Sequence, residues 1–367
     1  MGFGHDAALI EEVVRYRDPA FANVPPKVLS DAVHEMKTRA KQNDLEAFLL
    51  AAMRTMAVAG NAHSRLIPNA AISVLPLRFV LRDNDLCVVR EDVAVRVLTV
   101  NGTGIAHIMS VWRASLSGPA VRRLVLSGLM LAWPAALAEA GVIGPDYDYA
   151  LADGTQVVVS SKEITSASRY FSENETGALL PGADAYPQPL VVRESAFWRV
   201  RLADLKTLTT YDITQVVRTL QSNPSGVIVD LRGNPGGSFL TALPLVHMLR
   251  DAGQWIRCAV LVNGYTFSAA LVVAALIASH LGQRAALIGS DMGDDLAFWA
   301  EGDLLQLPDS GAKLRYSSAW HDWQTGVADA TTPPEIEAHL VAAGVLPVQR
   351  VLEAEQEDVA RAFVLKG

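Results

Sequence analysis

The chain has 367 residues, half of them hydrophobic and 19% charged, with a net charge of −8, the make-up of a globular protein with room for two or three domains. Its lysines and arginines are scattered, and an acidic balance without a basic run excludes a nucleic-acid backbone or an anionic membrane surface as partner. Two cysteines, Cys87 and Cys258, each in an apolar stretch without ligand or redox spacing, exclude a disulfide framework and read as buried thiols.

The opening residues, MGFGHDAALIEE, lack a basic segment followed by an apolar one, so no secretory signal is expected. That fits a cytoplasmic protein, or an exported one whose signal has been removed. Residues 7 to about 59 read as helical: Ser30 is placed to cap DAVHEMKTRAKQNDLEAFLLAAMRTMAVAG, and Gly60 to stop it. A β-rich section comes next. ISVLPLRFVLRDNDLCVVRED holds two strand-like runs around an Asp83-Asn84-Asp85 turn, and VAVRVLTVNGTGIAHIMSVWRASL reads as strand, Asn-Gly turn and helix. Residues 121–144 form a helical excursion, ALADGTQVVVSS a further hairpin edge, and 172–189, rich in Gly, Pro and acids, a loop or linker.

From about residue 195 short apolar strands alternate with helices: FWRVRLAD, ITQVVRTLQSN, GVIVDLRG, SFLTALPLVHMLRDAG, AVLVNG, the apolar helix after Phe267, and AALIGS. This predicts a layered α/β domain, with the chain α+β overall. The organisation expected is a helical region over 1–60, a β-rich region with a helical excursion over 61–194, the α/β domain over 195–345, and a helical tail over 346–367. The apolar windows 124–144 and 258–281 are broken by Gly128, Pro134 and Glu139, and by Asn263, Tyr265, Thr266 and Ser268. They read as core, with no membrane insertion.

Polar groups gather at three element ends. IVDLRGNPGGS (228–238) brings Asp230 and Arg232 to a glycine turn before a helix, where backbone amides can face a developing negative charge. It matches neither a phosphate loop nor a dinucleotide fingerprint. In NGYTFSAALVVAALIASH, Ser268 stands at a helix N-terminus, with the Ala269 amide next to it. A serine there is ordinarily a cap, but Thr266 can take that role and release Ser268. In VAGNAHSRLIP, His63 sits in a loop beside Ser64 and Arg65, whereas His5, His34, His107, His247, His280, His321 and His339 fall mostly in helical or polar surface contexts. No His, Cys, Asp and Glu cluster has ligand spacing, so neither metal nor organic cofactor is expected.

In this chain order the segments resemble the tail-specific (C-terminal processing) serine peptidase family, from about residue 40 to residue 337. NAHSRL is similar to the family's D-G-H-T segment, VRVLTVNGTGI to its I-N-G strand and turn, IVDLRGNPGG to D-L-R-x-N-x-G-G, and VLVNGYTFSAA to its nucleophile segment. AALIGSDMGDDLAFWAEGDLLQLPDSGAKLRYSS comes after it as in the family, and TTPPEIEA stands where P-D-I-x-V is usual. The resemblance implies a ClpP/crotonase-like catalytic domain, a PDZ-like region within 61–194 and a peptide or protein substrate; a homo-oligomer is compatible with it.

Members with a Ser–Lys dyad carry the lysine in a Y-G-K-G segment, where this chain has Asp294. The likeness is closer to the tricorn-core and chlamydial protease-like activity factor branch, which uses serine, histidine and glutamate. Carried over, it implies Ser268 as nucleophile and His63 as general base. The oxyanion amides would come from Ala269 and from Gly236 or Gly237. The acid falls on Asp329, with Asp322 as the other candidate; neither is a glutamate, and Asn61 replaces the aspartate of D-G-H-T. Two other readings stand beside the peptidase. One is a catalytically degenerate module that grips an extended peptide or a lipophilic ligand; the other is an esterase-type hydrolase with Phe267 and Phe298 lining an apolar cleft.

Overall fold

Helix formers between punctuating prolines and acids build the first elements. In the computed structural model, which describes residues 2–68, 72–91, 93–166, 190–194, 196–220, 226–252 and 256–366, the helix Pro26–Ala40 starts on Pro25-Pro26, with proline at its first position. Ser30 lies inside that helix rather than at its cap. The expected single stretch breaks after Lys41, where Asn43 takes φ 57°, and Asp44 caps the next helix, Leu45–Ala57, by accepting from the Ala47 amide at 3.1 Å. The linker expected over 172–189 lies outside the described residues.

The chain divides into two units. The first comprises Met1–Asn174, Phe298–His321 and Asp329–Pro333; the second comprises Glu175–Ala297, Asp322–Ala328 and Pro334–Gly367.

In the first unit an antiparallel meander comes after the helices, in the order Phe79–Arg82, Asp85–Arg90, Val93–Val100, Asp146–Leu151, Gln156–Ser160. Asp83 and Asn84 at φ 47° and 67° make the tight first turn, the left-handed pair that matches the twist of a two-residue hairpin. Asn101 and Gly102 turn the chain again before the helix Ile105–Trp112. The helices Ala120–Ala132 and Pro134–Glu139 form the excursion. A separate three-stranded sheet places Lys313–Arg315 between Arg65–Ile67 and Leu304–Gln306, with Leu66, Leu314 and Leu305 in register. That pairing carries the residues flanking Arg65 toward those flanking Arg315.

The second unit is built on a six-stranded sheet in the order Leu190–Glu194, Phe197–Arg201, Gly226–Asp230, Arg257–Val262, Ala285–Gly289, Val348–Arg350. The first pair is antiparallel and the rest parallel. GVIVD is buried at every residue, as expected of a parallel strand covered on both faces. Val227, Val229, Val260 and Leu287 bury one face, covered by the helices Thr210–Leu220, Phe239–Asp251 and Ala269–Leu281. On the other, Ile228, Ala259, Leu261 and Ile288 pack with Ala360 and Val364 of the C-terminal helix Gln356–Val364. The tail is thus not wholly helical, since Val348–Arg350 supplies an edge strand. Among the described residues no helix is long and apolar enough to cross a membrane.

Candidate active site

Ser268 stands between a buried strand and a buried helix, and the backbone there is strained. Its φ and ψ are 55° and −126°, a region that costs a residue with a Cβ about 1–3 kcal/mol. The hydroxyl makes no cap bond to the helix, and Thr266 does not cap it either. Thr266, fully buried, donates through Oγ1 to the Leu231 carbonyl at 2.9 Å and accepts from the Asn263 amide at 3.0 Å, which ties the strand end to the neighbouring turn. The Phe267 amide donates to the Asn234 carbonyl at 3.1 Å. The two motifs of this unit, NPGG and YTFS, are therefore joined by a backbone bond.

The glycine turn lies directly against the serine. A Cβ on Gly236 would fall 2.8 Å from the Ser268 Cβ and 3.1 Å from the Ala269 nitrogen, so only glycine fits, and its φ of 101° asks for one as well. The Gly236 amide donates to Asn234 Oδ1 at 2.9 Å and is engaged within the turn. Ala269, the first helical residue, has an amide with no acceptor in its own helix. Gly237, at φ 139°, runs beside Leu205. Asp230 and Arg232 have a structural part: Arg232 folds back on Asp230 through Nε at 2.9 Å and Nη2 at 2.7 Å, and reaches Gln356 at 3.1 Å and Glu357 at 2.7 Å in the C-terminal helix. Asp294 is buried in this unit.

His63 belongs to the first unit and is 2% exposed. Its ring stacks on Phe298, with centroids 5.2 Å apart and 17° between planes, and Phe298 stacks in turn on His321 at 5.2 Å and 24°. His321, grouped from the sequence with histidines mostly in helical or polar surface contexts, is buried; its Nε2 lies 3.4 Å from Glu301 Oε1. The His321 bond holds the Glu301 carboxyl below the usual glutamate range; burial works against this, and the charges of His321, His63 and Arg315 add to it. Glu301 itself takes φ 57°.

A buried polar network surrounds the turn that carries His63. Asn61 donates through Nδ2 to Ser64 Oγ at 2.8 Å and to Ser317 Oγ at 3.0 Å, and the two hydroxyl oxygens are 3.1 Å apart. Ser117 donates to the Ser64 carbonyl at 3.1 Å. The Asp18 carboxylate accepts from the Ala20 amide at 3.0 Å and from the Ser317 amide at 3.3 Å.

The two aspartates considered from the sequence serve their own turns. Asp329 is exposed, and it accepts from the Thr331 amide and hydroxyl, both at 2.7 Å, and from Thr332. Asp322, in the second unit, accepts from Thr325 at 2.8 and 2.7 Å. The structure thus gathers Ser268, Ala269 and Gly236 in one unit, and places His63 with Phe298, His321 and Glu301 in the other. Sequence reasoning passed over Asp18, Glu301 and His321. The faint signal for His321 was AWHD, a short alternating run that pairs with AFWA, the run that carries Phe298, in a two-stranded sheet.

No family model and no curated protein sequence matches the chain. Among solved structures, that of mature CPAF complexed with lactacystin aligns with 99% of this chain and 98% of that chain, at 12% identity and a TM-score of 0.60. A CPAF mutant aligns with 98% of this chain and 95% of that chain, at 12% identity and a TM-score of 0.62. The chain has the fold of CPAF.

Proposed function

We propose that the chain is a serine peptidase acting on a peptide or protein substrate through an acyl-enzyme. Ser268 attacks the scissile carbonyl and His63 takes its proton, then returns it to the leaving amine. The amides of Ala269 and of Gly236 or Gly237 face the oxyanion; with the Gly236 amide bonded to Asn234, Gly237 is the better placed of the two glycines. The acidic member that the sequence resemblance suggests is Asp329. The α/β unit is taken as ClpP/crotonase-like and the meander as PDZ-like, and an extended substrate would be held by main-chain bonds along a sheet edge.

The observation that carries this reading is Ser268 itself: a strained, uncapped serine at the head of a buried helix, backed by a glycine that nothing larger can replace. Structural roles for serine at a helix start use the side chain as a cap, and this one does not. The fold shared with CPAF supports the reading. The bonds that occupy Asp329 and Asp322 in their own turns favour the second reading, a degenerate peptide-binding module. A fluorophosphonate probe separates them. The peptidase reading expects labelling of the wild type, none of Ser268→Ala, and a loss of several orders of magnitude in His63→Ala. A folded wild type that stays unlabelled establishes the binding module instead.

A further inference from the structure

The turn Asn61-Ala62-His63-Ser64 is held from behind by a carboxylate that comes from the N-terminal region. Residues Val13–Arg17 form a π-helical turn, and the Asp18 amide closes it on the Val13 carbonyl at 3.0 Å. Such turns insert one residue into a helix, re-aim the side chains beyond it, and recur at functional sites. Pro19 then fixes the chain, and Asp18 points inward, 5% exposed, onto Ser64 and Ser317, both fully buried.

The amide group of Asn61 anchors the network. Asn61 can only donate through its amide group, and it does so to both serine hydroxyls; Ser317 Oγ donates to the Trp299 carbonyl at 3.3 Å, and either hydroxyl can donate across the 3.1 Å contact between Ser64 and Ser317. A carboxylate at position 61 could supply neither of the two donations that Asn61 makes. Behind the turn, a Cβ on Gly118 would sit 2.7 Å from the Ala62 Cβ, so the turn is packed on that side too. With the ring itself stacked on Phe298, His63 is fixed by its neighbour in sequence on one side and by an aromatic plane on the other.

We infer that Asp18 is a positioning residue for His63: by holding the Ser317 amide, whose hydroxyl contacts Asn61 and Ser64, it fixes the turn from which the imidazole works. This rests on the peptidase reading for its catalytic meaning, though not for its geometry. A role in folding alone would not call for a charge. Burial raises the Asp18 carboxyl above the usual aspartate range, against the pull of Ser64, Ala20 and Ser317. A carboxyl raised in the folded state binds its proton more readily there than in the unfolded chain, so its ionisation lowers stability as pH rises through that interval. An asparagine would fill the site without that cost.

The test is Asp18→Asn, with Ser64→Ala as its partner, in the full chain. Three measurements are made on each: the rate of fluorophosphonate labelling, the melting temperature, and the NMR signals of ring-labelled histidine, with His63 assigned from His63→Ala. The expected result is a labelling rate down about 10- to 100-fold, as for roughly an ångström of misplacement. The His63 ring signal broadens or doubles, while the melting temperature stays within about 3 °C of wild type or rises. Labelling and ring signal both unchanged in Asp18→Asn overturn the inference, as does a rate that falls only in step with the folded fraction. Should Asp18→Asn not fold, Ser64→Ala is read by the same criteria. If the wild type is unlabelled but the ring signal still changes, the peptidase reading falls and the positioning role stands.

Discussion

At Ser268 the chain accepts a backbone conformation that costs about 1–3 kcal/mol, and such strain persists only where neighbours over-determine it. They do: Gly236 presses against its Cβ side, Phe267 is bonded to Asn234, and Thr266 is locked to Leu231. In the other unit Glu301 is the comparable residue, left-handed at φ 57° and turned toward His321. Its depressed pKa fixes the sign of a pH effect. A carboxyl held below its usual range contributes stability that is present above the usual glutamate pKa and is lost as pH falls through the lowered value. Glu301→Gln is therefore expected to flatten the acid side of the stability curve. Its melting temperature should lie below that of wild type at pH 7, and the gap should close between about pH 5 and pH 3 as wild type loses the contribution that the variant lacks. Parallel curves for the two proteins would show that Glu301 carries no such charge interaction in the folded state.

Elements announced themselves in the sequence where the signal is local. GVIVD and AVLVNG are unbroken apolar runs, Asp83-Asn84 and Asn101-Gly102 are left-handed pairs, and each became the strand or turn expected. The motif residues Ser268 and His63 were legible for the same reason, as polar groups at the ends of apolar elements. Asp18, Glu301 and His321 were not, because their meaning depends on which distant segment returns beside them, and that is decided by pairings such as Leu66 with Leu314. The C-terminal helix taught a similar lesson. Its amphipathic sequence indicated a helix, but not that Glu357 would bond both Arg199, within one strand of the sheet, and Arg232, just past the strand that leads to the glycine turn. Glu357→Ala leaves two largely buried guanidinium groups short of a partner. The expected cost is about 3 kcal/mol, read from urea unfolding, together with slower fluorophosphonate labelling as the Arg232 end of the turn loosens. A variant as stable as wild type would mean that water replaces the carboxylate there.

Taken as a molecule, the chain threads back and forth: Phe298–His321 and Asp329–Pro333 rejoin the N-terminal unit, and the residues between and after them rejoin the second. Neither unit is a continuous stretch of the sequence, so neither can be cut out as one. The two cysteines report on the units separately, Cys87 in the first and Cys258 in the second. Burial pushes the Cys87 thiol up to about 11, with the Asp85 charge adding to it. Cys258, wholly inside the parallel sheet, is pushed up by burial to about 12. At pH 8 almost no thiolate is present at either position, and thiol reagents react through the thiolate. Native protein should thus take up essentially no maleimide or aromatic disulfide reagent at pH 8. Labelling under increasing urea, tracked peptide by peptide in a mass spectrometer, should yield one curve for each unit, with Cys258 modified only as its sheet unfolds. Modification of Cys258 in native buffer, at a rate independent of urea, would show that this sheet opens without unfolding and that the helix Ala269–Leu281 does not seal it.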